Sequence, residues 1–105
     1  MQICFKYKLL NLALLDLDVK YDYIVKNFKN VQGAENFLKK IYKAFELLGN
    51  NPYICPLARE RKLRNQSVRK YPIGDYVALY RIDEKLKIID IIRVFHQAQN
   101  YIKQM

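Results

Sequence analysis

Apolar and charged positions alternate at the start of the chain. Ile3, Phe5 and Tyr7 share one parity and Lys6 and Lys8 the other, which is the two-residue period of a strand over 2–8. From Leu10 the period lengthens. Leu10, Ala13 and Leu14, Leu17, Tyr21, Ile24 and Val25, and Phe28 recur at steps of three and four. This predicts a helix over roughly 11–28, with Asn11 as N-cap and Asp16, Asp18, Lys20 and Asp22 on its solvent side. Lys29–Gly33 reads as a turn, after which Ala34, Phe37 and Leu38, Ile41, Phe45 and Leu48 form the stripe of a second helix. Gly49-Asn50-Asn51-Pro52 is its stop signal. Two helices with so short a connection are expected to form an antiparallel hairpin.

Residues 52–66 show no period, and Pro52 and Pro56 interrupt any regular element there. From Ser67 the chain is β in character. Ser67–Ile73 passes through Gly74-Asp75 into Tyr76–Ile82, and Asp83-Glu84-Lys85 turns into the β-prone run Lys87–Phe95. A short helix is possible over Gln97–Met105. The order β-α-α-β-β-β predicts an α+β fold, with the helical hairpin packed on one face of a mainly antiparallel four-stranded sheet. At 105 residues the whole chain, 1–105, is expected to be one domain.

Charge adds the first hint of a partner. The formal net charge is +9, which draws phosphate backbones or an acidic protein. It is concentrated late in the chain, for Arg59–Lys70 alone holds six basic residues and one acid. Taken alone, such a run is a solvated loop. Its place beside the second strand is what points to binding. Cys4 and Cys55 have no metal-ligand spacing, and His96 is the only histidine. Free thiols are therefore expected, metal binding is disfavoured, and no cofactor is expected. The apolar run Leu9–Leu15 is followed at once by Asp16, Asp18 and Lys20, unlike a signal peptide, and no stretch approaches bilayer length. The expectation is a soluble, cytoplasmic protein with no membrane partner.

Several segments together resemble one known family. They are Ala13–Ile24 (A-L-L-D-L-D-V-K-Y-D-Y-I), Ala34-x-x-Phe37, and Leu47/Leu48 before Pro52. Val68-Arg69-Lys70-Tyr71, Tyr76–Asp83 and Ile91-Ile92-Arg93-Val94-Phe95-His96 come next in order. The pattern spans the chain and resembles the RelE/ParE superfamily of toxins from type II toxin–antitoxin systems, with the closing strand of ParE-like members. The resemblance implies a toxin neutralised by a short acidic antitoxin. RelE-like members cut mRNA on the ribosome, whereas ParE-like members poison DNA gyrase.

Cleavage of RNA by its own 2′-hydroxyl needs a base, a charge stabiliser for the phosphorane and an acid. RelE-like enzymes do much of this with Lys, Arg and Tyr. The candidates for catalysis here are Arg69, His96 and Tyr101, and those for binding RNA or phosphate are Lys62, Arg64, Lys70, Arg81 and Arg93. Arg69, Arg81 and Arg93 could converge on the sheet face that the helices leave open. They could equally pair with Asp75, Asp83 and Asp90. Pairing is the reading for Arg81 beside Asp83, and binding is the reading for Arg69. His96 could serve as a base, although a lone histidine at a strand end is more often a hydrogen-bonded structural residue. Tyr101 could donate a proton, stack on a base, or pack the tail.

Two departures bear on the choice. Val77 stands where the mRNA-cleaving branch often has Arg, and His96-Gln97-Ala98-Gln99-Asn100-Tyr101 lacks the arginines and acid of a Gly-Arg-Arg-Asp-Tyr-like segment. Three functions stay open: an mRNA endonuclease, towards which the basic loop leans, an inhibitor of a protein such as gyrase, and a decayed toxin that only pairs with its antitoxin.

Overall fold

The computed structural model describes residues 4–99. Its elements run β1 (Lys6–Leu9), α1 (Asn11–Phe28), α2 (Val31–Asn50), α3 (Arg61–Arg64), β2 (Arg69–Ile73), β3 (Tyr76–Asp83) and β4 (Ile88–His96). The predicted α+β architecture holds, and a four-residue helix is added inside the segment that shows no period. The sheet order is β1-β4-β3-β2. β1 pairs parallel to β4, and the other two pairings are antiparallel.

The helix ends differ from the sequence expectation for identifiable reasons. Leu10 still belongs to the sheet, since its N–H donates to the Ile91 carbonyl at 2.9 Å. Leu10 is therefore the N-cap position of α1, and Asn11 is already helical. The expected turn at Lys29–Gly33 is tighter than the pattern suggests. Lys29 adopts a left-handed φ of 47°, and the Asn30 side chain accepts from Gly33 N–H at 2.8 Å, starting α2 at Val31. Gly49 lies inside α2 because another backbone crosses it there. A Cβ at Gly49 would collide with the Phe5 carbonyl oxygen.

The main core lies between the helical hairpin and one sheet face. Ala13, Leu17, Ile41, Phe45 and Leu48 meet Ala78, Tyr80, Ile89, Ile91 and Val94 there, all nearly inaccessible to water. Alternation along β3 sends Val77 and Leu79 to the opposite face. That far face is not the open surface the sequence suggests. Ala58, Leu63 and Val68 fold across it and pack on Val77, Leu79 and Phe95 as a second core. The expected open face lined by cations is corrected accordingly: its middle is plugged by apolar packing, and the charges lie around it.

Candidate functional site

The pairing register decides which candidates can meet. Arg69 is opposite Tyr80, and His96 is opposite Tyr76. Both partners belong to the helix-facing set of β3, so Arg69 and His96 share that side. They are nevertheless four β3 positions apart, about 13 Å along the strand at ~3.3 Å per residue, and two strand spacings of ~4.8 Å across. No single phosphate spans that distance. Lys70, opposite Leu79, and Arg81, opposite Asp90, belong to the far side. Lys62 and Arg64 are exposed on α3, whose Leu63 is anchored in the second core. The structure thus separates Lys62, Arg64, Lys70 and Arg81 from the two described catalytic candidates by the thickness of the sheet, whereas Arg93 reaches back to α1. Tyr101 lies outside the described residues.

Arg69 is held in place by its own neighbourhood. Its guanidinium donates to the Cys55 carbonyl at 2.5 Å and lies over the Tyr53 ring at 5.1 Å. Just behind it the Tyr80 hydroxyl, fully buried, donates to the Pro52 carbonyl at 2.9 Å. Burial first, and then the neighbouring Cys55, pushes the Tyr80 phenol well above its ordinary value. Burial also raises the Cys55 thiol. Arg69 therefore pins the loop after α2 to the start of β2, which is a structural task. Lys70 forms an ion pair of 2.9 Å with Glu60, the one acid of the basic run, and holds its carboxyl below the usual range.

Arg93 has a partner that strand alternation cannot reveal. Ile91 and Val94 both face the main core, so the Ile92-Arg93 pair forms a bulge where the β3–β4 register shifts. From there Arg93 passes over the Phe95 ring at 4.4 Å and grips Asp16 of α1 through two hydrogen bonds of 2.9 and 3.0 Å. That bond, ahead of the opposing cost of burial, raises the Arg93 pKa. Asp16 also accepts the Val94 N–H at 2.9 Å, closing the β4 edge beyond the end of β1. The expected convergence of Arg69, Arg81 and Arg93 does not occur. Arg93 pairs with Asp16 rather than with Asp75, Asp83 or Asp90, and Asp16 is not on the solvent side of α1.

His96 is exposed, and its ring stands edge-on to Tyr76 at 5.4 Å. Its Nδ1 accepts the Ala98 N–H at 3.1 Å. In the neutral ring this arrangement puts the proton on Nε2, which is then a donor. To act as a base through Nε2, the ring must first give up the Ala98 bond. His96 and Tyr76 belong to the rim of a cavity of about 570 Å³, together with Val19, Lys20, Tyr23, Ile24, Phe28 and Gln99. Burial first, and then Asp75, raises the Tyr76 phenol. Lys20 and Tyr23 were not legible as site residues, because α1 reads as a core helix with a charged outer side.

Among the described residues no group of histidine, cysteine and acidic side chains could hold a metal ion. No helix among them is long and apolar enough to cross a membrane. Both cysteines are free thiols.

Comparison with known proteins decides the family. Residues 7–101 match the family model described as ParE toxin of type II toxin–antitoxin system, parDE. The chain belongs to the ParE toxin family. The fold recurs in the chromosomal ParDE toxin–antitoxin system from P. aeruginosa, at a TM-score of 0.71 and 21% identity, covering 89% of this chain and 96% of that one. It recurs also in the toxin–antitoxin complex RelBE2 from Mycobacterium tuberculosis, at a TM-score of 0.61 and 21% identity, covering 90% of this chain and 99% of that one. No curated protein matches. The chain is a toxin of the RelE/ParE kind.

Proposed function

We propose that this toxin acts by occupying a protein target rather than by cutting RNA. DNA gyrase, the target implied by the ParE-like resemblance, is the first to test. One observation supports this reading above the others: among the described residues, the groups a ribonuclease would use are not assembled. Arg69 is bound to the Cys55 carbonyl, Arg93 is neutralised by Asp16, and His96 lies four β3 positions and two strands away from Arg69. Acid–base catalysis requires such groups within hydrogen-bond reach of one reacting centre.

The same reading gives the toxin an antitoxin partner. Both solved relatives are toxin–antitoxin systems. α1 exposes Leu12, Leu15, Val19 and Tyr23 along one line, at 54, 55, 59 and 57% accessibility. Spacings of three and four put them on one helix face, a fit for the apolar side of an amphipathic helix. With a net charge of +9 on the toxin, that partner is acidic.

Ribosome-dependent mRNA cleavage is a second reading with one observation behind it, since His96, Tyr76 and Lys20 line one cavity. Inducible expression in bacteria, with separate readouts of mRNA integrity and plasmid supercoiling, distinguishes the two. Altered supercoiling with intact mRNA is expected. Cleaved mRNA that becomes intact in a folded His96→Ala variant would replace this reading with the second. Growth without toxicity from a folded protein would point to a decayed toxin.

A further inference from the structure

The cavity beside α1 has a chemical character that antitoxin pairing does not require. Its walls are mostly apolar and aromatic. Tyr23 and Phe28 meet edge-on at 5.9 Å, Tyr76 and His96 meet edge-on at 5.4 Å, and Val19 and Ile24 complete the lining. At about 570 Å³ it falls in the size range of small-molecule sites.

Lys20 is the one cation of this lining, and no hydrogen bond engages its ammonium among the described residues. Its obvious partner is taken. Both oxygens of Asp16 are committed to Arg93 and to the Val94 N–H. The half-buried ammonium thus feels a carboxylate already neutralised and the repulsion of a second cation, Arg93. Burial, ahead of the opposing pull of Asp16, lowers the Lys20 pKa. A half-buried charge with unfilled donors in an apolar cleft favours a ligand that brings an anion into it.

We propose that this cavity binds a small aromatic anion, its ring packed among Tyr23, Phe28, Tyr76 and His96 and its carboxylate, sulfonate or phosphate group on Lys20. The shared chemistry is a flat apolar body with one anionic group. The His96 Nε2–H, left outward by the Ala98 bond, is a second donor at the rim. Because Val19 and Tyr23 also belong to the exposed α1 line, a ligand seated here shares surface with any helix docked there. The site itself does not depend on which target the toxin poisons.

Fluorescence titration of the folded chain with anilinonaphthalenesulfonate, an aromatic sulfonate, tests this beside its neutral analogue phenylnaphthylamine. Saturable binding at one site is expected, with amide shifts in NMR centred on Val19–Phe28, Tyr76, His96 and Gln99. Lys20→Met keeps the apolar stem and removes the charge. It should weaken the sulfonate roughly tenfold, the scale of one charge-assisted hydrogen bond, and leave the neutral analogue unchanged. Equal affinity of the unmodified chain for both probes would overturn the proposal, as would shifts centred on α3. If Lys20→Met fails to fold, the comparison of the two probes on the unmodified chain decides alone.

Discussion

Arg93 and Asp16, 77 residues apart in sequence, form a two-bond ion pair in which each side chain keeps little more than a tenth of its surface accessible. The pair joins α1 to the outer edge of β4. Because Asp16 also takes the Val94 N–H, removing its carboxylate strands a guanidinium and a strand amide together. Asp16→Ala should cost about 3 kcal/mol, the scale of breaking a largely buried pair. Asp16→Asn keeps an acceptor for Val94 and should cost less. Urea denaturation of the three proteins reads the order, and equal midpoints would show that the pair is dispensable.

Tyr80 carries a prediction about alkaline pH. Its phenol is raised by burial, so the folded state holds this proton after the unfolded chain has released its own. Unfolding at high pH therefore releases a proton, and stability is lost as pH climbs above the ordinary phenol value of about 10. Tyr71 and Tyr76, also raised by burial, act in the same direction. Tyr80→Phe should cost about 1 kcal/mol at neutral pH for the lost bond to Pro52 and should flatten the alkaline decline. Thermal melts between neutral pH and pH ~10.5 check both parts.

Gly49→Ala should destabilise the fold although Ala is the better helix former by about 1 kcal/mol. The new methyl would run into the Phe5 carbonyl and push away the residue whose N–H donates to the Gly49 carbonyl at 2.9 Å. A net loss of about 1–3 kcal/mol is expected, as for other overpacked contacts. A raised melting temperature would show that β1 yields freely.

The exposed line on α1 predicts a separation of stability from pairing. Leu15→Asp and Val19→Asp change residues more than half exposed, so folding should shift by less than about 0.5 kcal/mol. Affinity for the antitoxin should fall roughly a hundredfold or more, as when a charge enters the centre of an interface. Calorimetric titration with the purified antitoxin measures it. Unchanged affinity would move the antitoxin elsewhere on the toxin.

Element order and type were legible because periodicity records burial. α1 spans the residues its apolar steps mark, and β2, β3 and β4 lie within a residue or two of the runs that predict them. The cap of α1 was not legible, because Leu10 is claimed by Ile91, a residue far along the chain. The fate of the arginines was hidden for two reasons. Which side of β2 Arg69 occupies depends on its pairing with Tyr80, and the bulge at Ile92-Arg93 breaks the two-residue period on which any reading of Arg93 rests. The cover on the far face escaped notice because Ala58, Leu63 and Val68 lie in or beside a segment with no period at all.

β4, the latest in sequence of the described strands, lies inside the sheet between β1 and β3. Until it leaves the ribosome, β1 has no strand to join, Asp16 has no cation to grip, and the hairpin of α1 and α2 lacks half of its floor. At translation rates of roughly 5 to 20 residues per second, that interval lasts about 5 to 20 s. The nascent polypeptide thus cannot close its sheet until β4 arrives, which gives a partner synthesised alongside it time to be waiting.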